Sequence, residues 1–537
     1  MSGVAAPPPP MSGAKPPAGD EHQPSEERSR AERVAMRWGI SGWSVVLVVG
    51  LAVVVIVLAL KLIPRLDAGQ KVLNAARPAF TTQRVAGAAA SVDFISADVN
   101  MADPVVTPAG GAAAEVPKLL AYAAGKTGLS QPQVLALLTK DAPHVAALLQ
   151  AVPLTAVTSE LPGLVAFLSK TLSMTPLQLE GALASDFPAL AQAIANLPTV
   201  TGGWYAIPGI DGLTRFDGTP VRTVPQLRDY FKYDVIPMLA AQRDNFDVVD
   251  STSTLTWIAP LLLAIGIVVV LVAAFMIVAF RRGGLSRPFA LRSAAIVPVV
   301  GLIVLALALA LRLDPRTNHA QQLVNGLAPA FTAQRVAGDK AGMNMVTAIV
   351  DLENPIVTPA GGAAAEVPKL LAFVGAKTGL SDSAVLALLQ KNFPHLAALL
   401  QAIPLSAVSA ELPAVVKLLG PGALPLVPRL AQTIANAPIV TSGWNDVPGT
   451  AGFTRFDGTP ARSEPVIRDY FADDLIPVLA NQRSNFATLK GTSRIDFIGI
   501  LVLIVALVVI EFGLMMVYAA HRLYPAARPG AAGTRSA

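Results

Sequence analysis

Four uninterrupted apolar runs stand out along the chain: Trp43–Leu62, Leu255–Phe280, Ser293–Leu311 and Ile495–Ala520. Each is near or above the ~20 residues that an α-helix needs to cross a bilayer core, so the pattern predicts four transmembrane helices. In the long segments between them, apolar residues recur at helical spacing, as in Val134, Leu135, Leu137 and Leu138, then Val145, Leu148, Leu149 and Val152. Prolines at 117, 132, 143, 153, 162, 176, 188 and 198 cut this stretch into short pieces. Ser130 ahead of Pro132, and Thr175 ahead of Pro176, read as helix starts. The segment Thr199–Thr223 departs from the pattern: it is Gly-rich, and Asp217-Gly218 marks a turn, predicting a small hairpin or ordered loop. Thr223 or Ser463 then caps a last helix, Pro225–Val249 or Pro465–Leu489. The first span is expected to run on as a helix to about Asn100, bent at Pro64 and Pro78.

Much of this pattern occurs twice. Val106–Ala121 and Val357–Ala372 are the same string, VTPAGGAAAEVPKLLA. The same offset of 251 matches Ala79–Gly87 (AFTTQRVAG) with Ala330–Gly338 (AFTAQRVAG). Past an eleven-residue deletion in the second copy, an offset of 240 matches Trp204 with Trp444, Thr214–Pro220 with Thr454–Pro460, and Arg228–Phe231 with Arg468–Phe471. The eleven extra residues of the first copy are expected to form an added helix near Leu168–Ala184. The unit repeated is span, polar domain, span, which gives both copies one orientation and argues against an inverted-repeat transporter.

Composition sharpens this picture. Of the 537 residues, 53% are hydrophobic and 14% charged, with mean hydropathy +0.54; soluble domains carry about 25% charged residues. The absence of cysteine excludes disulfides, thiolate metal sites and cysteine nucleophiles. A net charge of +5 is too small to argue for nucleic acid. Basic residues flank the spans at Arg28, Arg30, Arg33 and Arg37, at Arg281, Arg282, Arg287 and Arg292, and at Arg522, Arg528 and Arg535, whereas residues 65–254 carry 13 basic and 16 acidic groups. The positive-inside rule therefore makes both termini cytoplasmic and both polar domains exterior.

The expected organisation is a tail at 1–42 that begins as disordered sequence, spans at 43–62, 255–280, 293–311 and 495–520, exterior domains at 65–254 and 313–494, a loop at 281–292 and a tail at 521–537. The fold class is mostly α: a four-span polytopic membrane protein with two tandemly duplicated exterior helical domains, each with a small Gly-rich hairpin or loop region. With 27 Arg against 14 Lys and many Ala and Pro, the chain reads as the product of a GC-rich, actinobacterial genome, placed in the plasma membrane.

Candidate chemistry is sparse. His144 sits beside Asp141, but its match His395 has Asn392 instead, and three or four ligands are needed for a tight metal site. No metal, cofactor or catalytic set is therefore assigned. Glu160 and Glu411, in the matching strings SELP and AELP, read as charge partners or helix caps. The doubled strings give the candidate ligand- or partner-binding residues Trp204, Arg215, Asp217, Arg228 and Tyr230, with Trp444, Arg455, Asp457, Arg468 and Tyr470. Their types suit binding hot spots; the competing reading is an internal network in which Arg215 pairs with Asp217 or Asp229. Glu511 is the one ionisable residue well inside a span, and such residues are functional hypotheses by default. The expectation is a non-catalytic cell-envelope protein whose exterior domains bind a partner protein, a wall component or a lipid. A transporter or channel-type subunit using the spans and Glu511, or a sensor relaying an exterior signal, are the rivals.

Overall fold

The computed structural model describes residues 23–108, 110–251, 255–282, 287–357, 362–420, 422–491 and 494–523. The first 22 residues, the centre of the short loop at 283–286 and the tail from 524 lie outside them, so the expectations for those stretches fall outside the described residues. Almost all of the described chain is helical, and four helices are long and apolar enough to span a membrane: Gly39–Ala59, Ile258–Arg281, Arg292–Ala310 and Phe497–Tyr518. The first of these is part of a longer helix, Gln23–Ala59, so residues 23–42 of the expected disordered tail are helical.

The chain divides into two compact units. The span unit holds the four apolar helices. The first pairs with the second, the third with the fourth, and the first touches the fourth. Small residues set the approach: a Cβ on Gly50 would meet Val269 at 2.9 Å and the Gly266 carbonyl at 3.3 Å, so the first two helices touch backbone to backbone. Trp43, Val46, Ala273, Met276 and Val297 form its core.

The second unit comprises residues 64–253 and 319–494. The two polar segments, expected as separate domains, share one packed body. Each supplies a long helix, Thr82–Val106 or Ala333–Val357, followed by short helices and then Pro188–Gly203 or Pro428–Gly443. Thr82–Val106 packs on Pro428–Gly443, and Ala333–Val357 on Pro188–Gly203, so each long helix lies against the other segment. The short helices Pro143–Ala151 and Pro394–Ala402 pack on each other. Close contact is possible because Gly443 sits on Phe94 and Gly203 on Met345, where an added Cβ would come within 2.6 and 2.9 Å.

Cross-segment capping strengthens the interlock. The helices at Pro143, Pro188, Pro394 and Pro428 start with proline at the first position and an apolar residue before it, so none has a side-chain cap of its own. A glutamate from the other segment supplies each one. Glu411 accepts from the Val145 N–H at 3.0 Å, Glu366 from Leu190 at 2.8 Å, Glu160 from Leu396 at 2.9 Å and Glu115 from Leu430 at 2.8 Å. Glu411 and Glu160 also bind His144 and His395 at 2.7 and 2.9 Å. Arg84 and Arg335 donate to the Thr454 and Thr214 carbonyls at 2.7 and 3.0 Å. The doubled string around Arg84 therefore grips the doubled turn of the opposite segment.

Several boundaries differ from the sequence expectation. The first helix breaks at Leu60-Lys61 rather than at Pro64, because Pro64 falls in the first turn of Leu62–Ala76, where its missing N–H is not needed. The last helix of each segment is interrupted by a π-turn, Phe231–Val235 or Tyr470–Leu475, just before Pro237 or Pro477. The wider turn receives the proline without a broken ladder. The first segment has an extra helix, Pro176–Asp186, where the second has only a 3₁₀ turn at Leu424–Leu426. Residues 204–223 and 444–463 contain no regular strand, only one antiparallel bridge each, Thr214 with Pro220 and Thr454 with Pro460.

Candidate functional site

Of the ten residues singled out from the doubled strings, eight lie in internal networks, while Asp217 and Asp457 are exposed in their turns. Trp204 and Trp444 are wholly buried, each indole N–H donating to a side chain of its own segment, Asp103 at 2.9 Å and Asn354 at 3.0 Å. They occupy equivalent places, but not on an exposed loop. Arg215 bonds neither Asp217 nor Asp229; it grips Asp234 through two bonds of 3.1 Å, and Arg455 grips Asp474 at 3.2 and 3.1 Å. These aspartates lie in the π-turns, 19 residues along the chain from their arginines, too far for local spacing to reveal. Asp217 and Asp457 each accept the N–H two residues on, at 2.8 Å, and fix the turn. Arg228 holds Asn100 and Asp229; Arg468 holds Asp351 and Asp469. Tyr230 and Tyr470 are fully buried. Glu511 is exposed on the surface of the span unit.

What the arrangement does create is a cavity between the segments. It encloses about 110 Å³ and is lined by matching positions from both: Met101 with Leu352, Ala102 with Glu353, Leu148 with Leu399, and Leu197 with Ala437. Its polar side chains are Glu353 and Thr433, and the Thr433 hydroxyl already donates to the Met101 carbonyl at 2.9 Å. A smaller cavity of about 40 Å³ lies among Asp98, Glu464, Arg228, Arg468, Phe231 and Phe471.

Asp98, Glu353 and Glu464 form a buried acid cluster around these cavities. The Asp98 and Glu353 carboxyls are hydrogen-bonded to each other, while Glu464 Oε2 is without a partner. Burial pushes Asp98 up to about 6, opposed by its bond to Glu353. Burial, then the Asp98 charge, pushes Glu464 up to about 8, with Arg468 opposing. Burial and the same neighbour hold Glu353 well above the ordinary glutamate range. A fourth acid, Asp339, is pushed up to about 7 by burial and faces Tyr230. Three charges so close in a poorly solvated interior are not held together, so the cluster carries protons at neutral pH. Among the described residues no group of three His, Asp or Glu is arranged to hold a metal ion.

Sequence reading missed all four acids. A signal was present: across the matched copies they stand where the other copy has Ile349, Ala102, Val224 and Ala88. An acid aligned with an apolar residue of an interior helix face marks a position that one segment uses differently. No protein family matches this chain, and no curated protein or solved structure matches it significantly.

Proposed function

We propose that this is a non-catalytic membrane protein of the cell envelope that holds the apolar part of a lipid-like ligand in the cavity between two duplicated, exterior helical segments. The observation that carries the reading is the cavity itself, whose surface is almost wholly apolar. Leaving such a space empty costs roughly 2–3 kcal/mol at the usual cost per unit of cavity volume. That is a large share of ordinary domain stability, and a guest removes it. The space is of the order of the ~150 Å³ cavity that admits a benzene ring. It therefore suits a ring or a short length of chain rather than a whole phospholipid. Glu511 faces outward from the span unit, so it gives a transport path within the four spans no support.

The test is to purify the full chain from its own membranes and extract bound small molecules for mass spectrometry. An apolar compound should copurify with the wild type and be lost from Ala437→Phe, which fills the cavity. Equal content in both proteins would refute the reading.

A further inference from the structure

The long helices Thr82–Val106 and Ala333–Val357, one from each segment, face each other along an apolar seam that contains both cavities. The larger is lined by Met101 and Val105 from one helix and by Leu352 and Ile356 from the other. The smaller is lined by Ile95 and Val99, and by Val346 and Val350. The hydrogen-bonded carboxyls of Asp98 and Glu353 cross this seam between the two spaces, since Asp98 lines the smaller and Glu353 the larger. Glu464, 2% exposed, lines the smaller space with its Oε2 atom unpartnered. We propose that the Asp98–Glu353 pair is a proton-operated latch between the two segments. Protonated, it ties the long helices together between the cavities; ionised, it lets the seam part, joins the cavities and admits water. The latch belongs to the interlock itself and does not depend on a guest in the chamber.

Three observations lead there. First, a carboxylate only accepts hydrogen bonds, so a bond between two carboxyls lasts only while one of them holds a proton. Asp98 and Glu353 are 5% and 8% exposed, so neither can replace the lost partner with water unless the seam opens. Second, the charges that face the pair cannot absorb its ionisation. They are the Glu464 carboxyl and the two guanidiniums that line the smaller cavity, Arg228 and Arg468. Arg228 is already bonded to Asn100 and Asp229, and Arg468 to Asp351 and Asp469. Third, the packing does not call for acids. At the matching positions stand Ile349, Ala102 and Val224, and Ile349 and Ala102 line the same two cavities. An isoleucine and an alanine meet the seam there with no proton to lose. The working range follows from the acids themselves. Burial raises Asp98 to about 6, and burial with the Asp98 charge raises Glu464 to about 8. The protonated forms that the folded state favours are therefore kept below this range and lost as pH rises through it.

The chain has no cysteine, so nitroxides can be placed on cysteines introduced at Asp93 and Asn344, exposed and matching positions of the two long helices. Pulsed electron spin resonance on the full-length protein in nanodiscs should give one distance at pH 5. At pH 9 a second population should appear, longer by about 2 Å, the size of a helix shift at an interface. Asp98→Asn combined with Glu353→Gln, a pair that hydrogen-bonds without a titrating proton, should keep the pH 5 distance at both values. Asp98→Ile, Glu353→Ala and Glu464→Val together, which copy the matching residues, should do the same and serve as a second uncharged reference. Asp339→Asn removes the acid that faces Tyr230 and should leave the change in place. A single, unchanged distance in the wild type would overturn the latch. So would the wild-type lengthening in either uncharged variant, or its loss in Asp339→Asn.

Discussion

Glu464 shows how far a single residue can depart from what its neighbours in sequence imply. It stands where the matched copy has Val224, it is 2% exposed, and the groups that face it are Asp98, Glu353 and Arg468. With its carboxyl pushed up to about 8, the native state binds a proton that the unfolded chain has already released. Stability then falls as pH rises from the ordinary carboxylate value to about 8, and levels off above it. Asp98 and Asp339, raised to about 6 and about 7, slope the same way over narrower windows. Denaturation midpoints should therefore fall between pH 5 and pH 9. Glu464→Val should flatten that slope and be the more stable protein at pH 9, by about 1–3 kcal/mol. A parallel slope in the variant would show that Glu464 is not the titrating group. Hydrophobic periodicity assigns acids to the surface by default, which is why these four were not legible in one copy alone. The tryptophans were legible as important, but their burial was not.

At the scale of elements, helix starts signalled by local chemistry were readable. Ser130, Thr175 and Thr223 each form a capping box with the glutamine three residues on. The helices beginning at Pro143, Pro188, Pro394 and Pro428 were readable only in part: the proline marks the start, while the cap arrives from a glutamate 176 to 315 residues away. No local pattern encodes a partner at that distance. Glu115→Ala should remove the cap of Pro428–Gly443 and lower stability by about 1–2 kcal/mol, measured by chemical denaturation. Lys118→Ala, one turn away and exposed, should change it by less than about 0.5 kcal/mol. Equal effects would mean that the cross-segment caps contribute nothing. The π-turns before Pro237 and Pro477 also escaped sequence reading, since a helical period does not distinguish one wide turn from an ordinary one.

For the whole molecule, apolar run length alone located the four span helices, because backbone satisfaction in a bilayer leaves little choice. The doubled strings were equally plain, but they suggested two bodies, whereas the segments form one. The strings that match between copies, around Arg84 and Arg335 and around Thr214 and Thr454, are those that meet across the interlock. Orientation is a separate claim, resting on arginines beside the spans. Single cysteines at Ser130 and Ser381 should react with a membrane-impermeant maleimide in spheroplasts, and one at Ser286 should not. Labelling at 286 alone would invert the proposed orientation.

The central claim is that the chamber between Leu148 and Leu399 holds an apolar guest. The most direct measurement is an electron-density or cryo-EM map of the protein purified from its own membranes without added lipid. The account predicts continuous density in that chamber that the chain itself does not account for. A chamber that is empty, or closed by movement of the Pro428–Gly443 helix onto Thr82–Val106, would contradict it.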